Sequence, residues 1–300
     1  MTTQLTLSIS QMAPLIGLDK FNNFPRIICE IWRKYLPDDF KLVETKLKNN
    51  KEEIATSNEY NDIWEIDSAS GTTILEQVNE LNSNTTKTSN DMVKKQEDIK
   101  KYINEQKTLS KSQKIDVTKK VCSITNKTHG NTNEDSILNE FCKLSEKTIQ
   151  TTQAWIRIPI AIKNPKLNIE WIIIGKYDGI TTDNELVEAK MRQKCLFKRV
   201  RDYENVQVQL YLHGLTFELA YLVESYTNKY GEMNIYVNEI KYDSYYVDNM
   251  ILDRLKKFIK FFELFIESDL LKEGLLKGDK DRKIFNYYEN NYLESDEFDL

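Results

Sequence analysis

Three consecutive isoleucines, Ile172, Ile173 and Ile174, run into Gly175-Lys176-Tyr177-Asp178-Gly179-Ile180, and Leu186-Val187-Glu188-Ala189-Lys190 follows after a polar break. Both runs read as short strands, and Thr181-Thr182-Asp183-Asn184 between them has turn chemistry. No other stretch constrains the fold as much. Alternate residues of a strand share a face, so Glu188 and Lys190 project together while Ala189 turns into the core. If the two strands pair as a hairpin, Asp178 reaches the Glu188 face. Two carboxylates and an amine then converge at the edge of a sheet. A helical segment follows, in which Gln207 and Tyr211 are four apart and so lie on one face.

Such a set suits metal-assisted phosphodiester hydrolysis. Mg²⁺ takes one or two protein carboxylates and completes its shell with water and substrate phosphate. It polarises a phosphoryl oxygen and supplies a hydroxide nucleophile. A lysine on the same face can orient the water, accept its proton if its own pKa is lowered, or neutralise charge developing on the phosphoryl group.

Asp178-Gly179, then Glu188-x-Lys190, then Gln207-x-x-x-Tyr211, resembles the PD-(D/E)XK nuclease superfamily, and within it the group of YqaJ-like viral recombinases and phage lambda exonuclease. His129-Gly130-Asn131-Thr132-Asn133-Glu134 is similar to that group's His-Gly…Glu helix start, and Ser8 to Gly17 to its N-terminal Ser…Ala…Gly segment. The resemblance covers residues 5–40 and 120–275, and Tyr177 stands where the superfamily's name places a proline. It implies an α/β fold of the restriction-endonuclease type, a small mixed sheet flanked by helices, with an N-terminal helical extension. It implies that Asp178 and Glu188 hold Mg²⁺, or Mn²⁺ in its place. The carbonyl of Ala189 adds a ligand and Glu134 assists. Lys190 acts on the water, Gln207 supports the site, and Tyr211 packs or hydrogen-bonds beside it. The activity implied is processing of duplex DNA ends in viral replication or recombination. A single-strand annealing or recombination protein is a partner the group admits, as is a homo-oligomer. The alternatives are an endonuclease on branched or foreign DNA and a catalytically silent DNA-binding scaffold.

Charge is distributed to match. The net charge is −5, yet Lys190, Arg192, Lys194, Lys198, Arg199 and Arg201 form a run with no acid between Glu188 and Asp202. Arg192, Lys194, Lys198, Arg199 and Arg201 are the expected contacts to a DNA backbone, joined by Ser10 if its helix start binds a phosphate. Otherwise Ser10 is a helix cap. Cys29, Cys122, Cys142 and Cys195 are scattered without a C-x-x-C, which speaks against zinc, an iron–sulfur cluster or a disulfide framework. No apolar run is long enough to span a bilayer and no signal peptide is visible, so an intracellular setting without membrane contact is expected.

The rest of the chain divides into a helical segment at 1–45, a polar insert at 46–119, a nuclease core at 120–280 and a mobile acidic tail at 281–300. Two helices are expected over 6–37, with Pro37 ending the second. Ile63 to Ile66 is a short element and Asn82 to Asn90 a polar loop, followed by an amphipathic helix from Asp91 to Leu109. Asn131 or Thr132 caps a helix whose first turn holds Glu134. Strands are expected from Trp155 to Ile162, Glu170 to Gly175, Glu185 to Lys190, Phe217 to Val223 and Asn234 to Tyr242. One long helix spans Tyr246 to Leu275, its stripe of Ile251, Leu255, Phe258, Phe262 and Phe265 facing the core.

Overall fold

A computed structural model describes residues 3–19, 24–50, 89–107, 109–164, 169–228, 230–278 and 283–294. The described chain opens on a strand. In β1 (Thr3–Ser8), Leu5 and Leu7 are buried and alternate with Gln4 and Thr6. The N-terminal segment is therefore not only helical: β1 lies parallel beside a later strand, with Leu7 opposite Ile173. Helix α1 (Ile9–Leu15) follows at once. Its N-cap is Ser8, so Ser10 is not the cap, and the two serine hydroxyls bond each other at 2.9 Å. Helix α2 (Phe24–Tyr35) has Pro25 in its first turn. Pro37 ends that helix but also opens another, α3 (Pro37–Asn49), because a missing N–H costs nothing in a first turn. Ile63 to Ile66 and most of Asn82 to Asn90 lie outside the described residues.

Helix α4 (Ser89–Glu105) buries Met92, Ile99 and Ile103, in line with the amphipathic pattern. The next helix, α5 (Lys111–Ser145), is continuous. Asn131 and Thr132 lie inside it, so neither caps a helix, and Glu134 is not in a first turn. Gly130 costs such a helix about 1 kcal/mol relative to alanine. Burial of Val117 and Val121 before it and of Ile137, Leu138 and Phe141 after it outweighs that.

The strands are β2 (Ile149–Thr152), β3 (Trp155–Asn164), β4 (Ile169–Lys176), β5 (Gly179–Thr181) and β6 (Leu186–Met191), then, after helix α6 (Asp202–Leu215), β7 (Leu219–Thr227) and β8 (Met233–Lys241). Among the described residues they form a sheet ordered β1-β4-β3 and another ordered β2-β5-β6-β7-β8. Both are mixed: β1–β4 and β6–β7 run parallel and the other pairs antiparallel. This is the expected α/β class, mixed sheets flanked by helices.

The two sheets are joined through one bent antiparallel pairing, β2–β3 against β4–β5, with the bend where β2 gives way to β3 and β4 to β5. At the bend Tyr177 N donates to Ala154 O at 3.1 Å and Gln153 N to Asp178 O at 3.3 Å. Helix α5 packs Ile137, Leu138 and Phe141 on Val187, Ala189 and Val223. The other face meets α6 and the large core. There a Cβ on Gly214 would stand 2.6–2.8 Å from Ile156 and Ile158, which is why the helix carries glycine at its closest approach to β3.

The C-terminal helix is broken rather than single. It runs as α7 (Ser244–Tyr246), a π-turn at Val247–Leu252, α8 (Asp253–Glu267) and α9 (Asp269–Leu276). Ser268 divides the last two, its hydroxyl capping α9 by accepting from Leu271 N. The stripe expected in the core is there, from Ile251 to Phe265. The tail is not simply solvated. Helix α10 (Lys283–Tyr288) brings Tyr288 into the core, stacked on Phe24 with ring centroids 5.0 Å apart. Among the described residues, no helix is long and apolar enough to cross a membrane.

Candidate active site

The bend between the sheets leaves strand β6 half paired. β5 pairs with β6 only at Gly179–Val187 and Ile180–Leu186, because the chain before Gly179 turns away. The N–H of Ala189 therefore has no strand carbonyl on that side. The Asp178 carboxylate takes it instead, Oδ2 accepting at 2.8 Å. Asp178 is thus drawn to β6 at the point where the ladder stops.

Glu188 is 2% exposed. Its Oε1 accepts from Lys190 Nζ and from Gln207 Nε2, each at 2.7 Å, and Lys190 Nζ also donates to Gln207 Oε1 at 3.2 Å. Its other oxygen, Oε2, is buried with no hydrogen-bond partner. A buried acceptor left unpaired is costly and calls for an explanation. Glu134, from the middle of α5, accepts from Gln153 Nε2 at 2.6 Å. Tyr211 is buried and donates to the carbonyl of Lys176 at 2.7 Å, so it braces β4 just before the bend.

Electrostatics ties these groups together. Burial raises Glu188 to about 8, with Lys190 pulling it down and Asp178 pushing it up. Asp178 is raised by burial against the Lys190 charge and the Ala189 N–H. Glu134 is raised by burial and by the Asp178 charge. Burial lowers the Lys190 pKa, but Glu188 and Asp178 outweigh it and hold the ammonium above its ordinary value. In this arrangement the two carboxylates hold Lys190 as an ammonium. Tyr211 is raised by burial and then by Glu188, so its hydroxyl stays protonated.

Glu134, Asp178, Glu188, Lys190, Gln207 and Tyr211, the six residues singled out from the sequence, therefore meet in one place. The basic run does not behave as a unit. Arg192 is 7% exposed, and its guanidinium lies between Glu204 at 2.6 Å and Glu224 at 3.3 Å. It also sits over the Phe197 ring at 4.3 Å, with Arg201 over the same ring at 3.6 Å. Arg192 is a buried strut for the loop before α6 and is withdrawn from the set of backbone contacts. Glu224 completes the strut by accepting from the N–H groups of Phe197 and Lys198. Lys194, Lys198, Arg199 and Ser10 are exposed and Arg201 is partly so.

Among the described residues no three His, Cys, Asp or Glu side chains form a ready-made metal cage. Mg²⁺ does not need one, since one or two carboxylates suffice. The unpartnered Glu188 Oε2 beside Asp178 fits that requirement.

Gln153 was not legible beforehand. Its φ is +57°, left-handed for a residue with a side chain, and it grips both Glu134 and the Asp178 carbonyl. Its role comes from the bend, which no local pattern encodes.

No family model matches the chain, and no curated protein does. Some solved structures are similar to part of the chain. One is the crystal structure of SSO0001, with TM-score 0.35 and 14% identity, covering 62% of this chain and 83% of that one. Another is an alkaline exonuclease, LHK-Exo, from Laribacter hongkongensis, with TM-score 0.36 and 13% identity, covering 62% and 91%. The same enzyme in complex with dAMP gives TM-score 0.33 at 13% identity, covering 63% and 87%.

Proposed function

We propose that the chain is a metal-dependent deoxyribonuclease of the PD-(D/E)XK kind, acting on DNA ends. One observation carries the reading. The buried Glu188 keeps one carboxylate oxygen unpartnered beside Asp178, and Lys190 is fixed 2.7 Å from its other oxygen. Burying an ionised acid in that state costs free energy that a bound cation would recover.

Asp178 and Glu188 would hold the ion, Mg²⁺ or Mn²⁺, with the Ala189 carbonyl as a further oxygen and Glu134 assisting. When bound, the ion supplies a Lewis acid for the phosphoryl oxygen and lowers the pKa of water. Lys190 has one N–H left over from its bonds to Glu188 and Gln207 for the water or for the charge that develops on the phosphoryl oxygens. Gln207 fixes both Lys190 and Glu188, so neither must reorganise during the reaction. Water adds to phosphorus and gives up its proton to solvent, the P–O ester bond breaks, and the departing oxygen takes a proton from solvent. Lys194, Lys198, Arg199 and Arg201 attract the DNA backbone.

The test is cleavage of end-labelled linear duplex and of closed circular DNA, each with Mg²⁺ and with chelator. Metal-dependent loss of linear DNA alone supports an exonuclease, and cutting of the circle moves the reading to an endonuclease. DNA that is bound but never cut, with either ion, overturns it in favour of a scaffold.

A further inference from the structure

Trp155 is 70% exposed, whereas Trp32 and Trp171 are fully buried. An exposed indole offers a flat face on which a planar group can stack. Trp155 opens β3, with Ile156 and Ile158 facing the core on either side of the exposed Arg157. Its cross-strand partner is Lys176, also exposed. Directly opposite residues of an antiparallel pair project from the same face, so the two side chains leave the sheet as neighbours. Both lie next to the bend: Lys176 precedes Tyr177-Asp178, and Trp155 follows Gln153-Ala154.

The bend is held rigidly. Tyr177 N donates to Ala154 O, Gln153 N to Asp178 O, and Tyr211 ties down the Lys176 carbonyl. Gln153 keeps its left-handed backbone while its amide holds Glu134. The Trp155–Lys176 pair is therefore fixed relative to the carboxylates. A flat aromatic face beside a cation is the arrangement that takes an unpaired base and its phosphate.

We propose that Trp155 and Lys176 form a platform for an unpaired nucleotide beside the carboxylate site, Trp155 stacking on the base and Lys176 pairing with the phosphate. This rests on the nuclease reading and deepens it: the strand that is cut enters single-stranded, as a free strand or a frayed end. A base inside a blunt duplex is already stacked on its neighbours and presents no free face to the indole.

The test uses full-length protein carrying Asp178→Asn, so that DNA is bound without being cut. Its tryptophan emission and affinity are read against oligothymidylate and against an abasic oligomer of equal length, with Mg²⁺ present. Oligothymidylate is expected to quench the emission. Adding Trp155→Ala is expected to abolish the quench and weaken oligothymidylate binding roughly five- to a hundredfold. Trp155→Phe is expected to restore most of the affinity, and the abasic oligomer to bind all three proteins alike. Lys176→Ala is expected to weaken both oligomers and to flatten the salt dependence by about 0.7 of a log–log unit. Equal oligothymidylate affinity with and without Trp155, while wild-type protein cleaves DNA, overturns the platform and leaves the nuclease reading intact. Absence of both binding and cleavage in the wild type overturns the nuclease reading and the platform with it.

Discussion

Replacing Arg192 with methionine separates a buried strut from a DNA contact. The guanidinium lies against Glu204 and Glu224, whose side chains are both 0% exposed. Removing one member of a buried charge network costs about 3–5 kcal/mol, because the partners stay buried and charged. Here the loss is cushioned. Glu224 keeps the N–H groups of Phe197 and Lys198, and Glu204 keeps that of Arg201 at 3.2 Å. That places the expectation at the lower end, about 3 kcal/mol, even after loss of a guanidinium–Phe197 contact of roughly 0.5–1 kcal/mol. Urea unfolding at neutral pH reads it directly. Adding Glu204→Gln and Glu224→Gln removes the stranded charges and should return more than half of the loss. A change within about 0.5 kcal/mol for Arg192→Met alone, the usual effect at a solvated position, would refute the strut and return Arg192 to the DNA-contacting run.

Gly214→Ala should destabilise by about 1–3 kcal/mol through overpacking against Ile156 and Ile158, despite alanine's better helix propensity. A rise in melting temperature would contradict that close approach. Tyr288→Ala should cost about 3–5 kcal/mol, since the ring is buried and stacked on Phe24, whereas a solvated tail would give almost nothing in the same melt. Burial pushes the Cys29 thiol up to about 11, so alkylation at pH 8 followed by mass spectrometry should label the exposed Cys195 and spare Cys29. The folded state holds that proton more tightly than the unfolded one. Stability from this group is thus complete below about pH 9 and declines as pH rises towards 11, a decline that Cys29→Ala should remove.

What the sequence made legible was local and periodic. Glu188 and Lys190 could be placed on one face because a strand has a period of two, and Gln207 and Tyr211 because a helix repeats near four. The apolar stripe from Ile251 to Phe265 was readable for the same reason. Continuity was harder to read. Gly130 looked like a boundary, but one glycine costs α5 far less than the burial on either side returns. Leu5 and Leu7 alternate as a strand does, but nothing nearby marks them off from the helix that follows, because their partner β4 lies far along the chain. Arg192 looked like its basic neighbours, since the acids that claim it come from α6 and β7. Gln153 carried no signal at all. Its place beside Glu134 exists only because two strands bend at the same level.

The most direct test is Mg²⁺-dependent cleavage of end-labelled DNA by the wild type, by Asp178→Asn and by Lys190→Ala, with circular dichroism to show that all three fold. Cleavage by the wild type and a loss of at least about a hundredfold in both folded variants is the predicted result. Undiminished cleavage in either variant would contradict the assignment of this cluster as the active site.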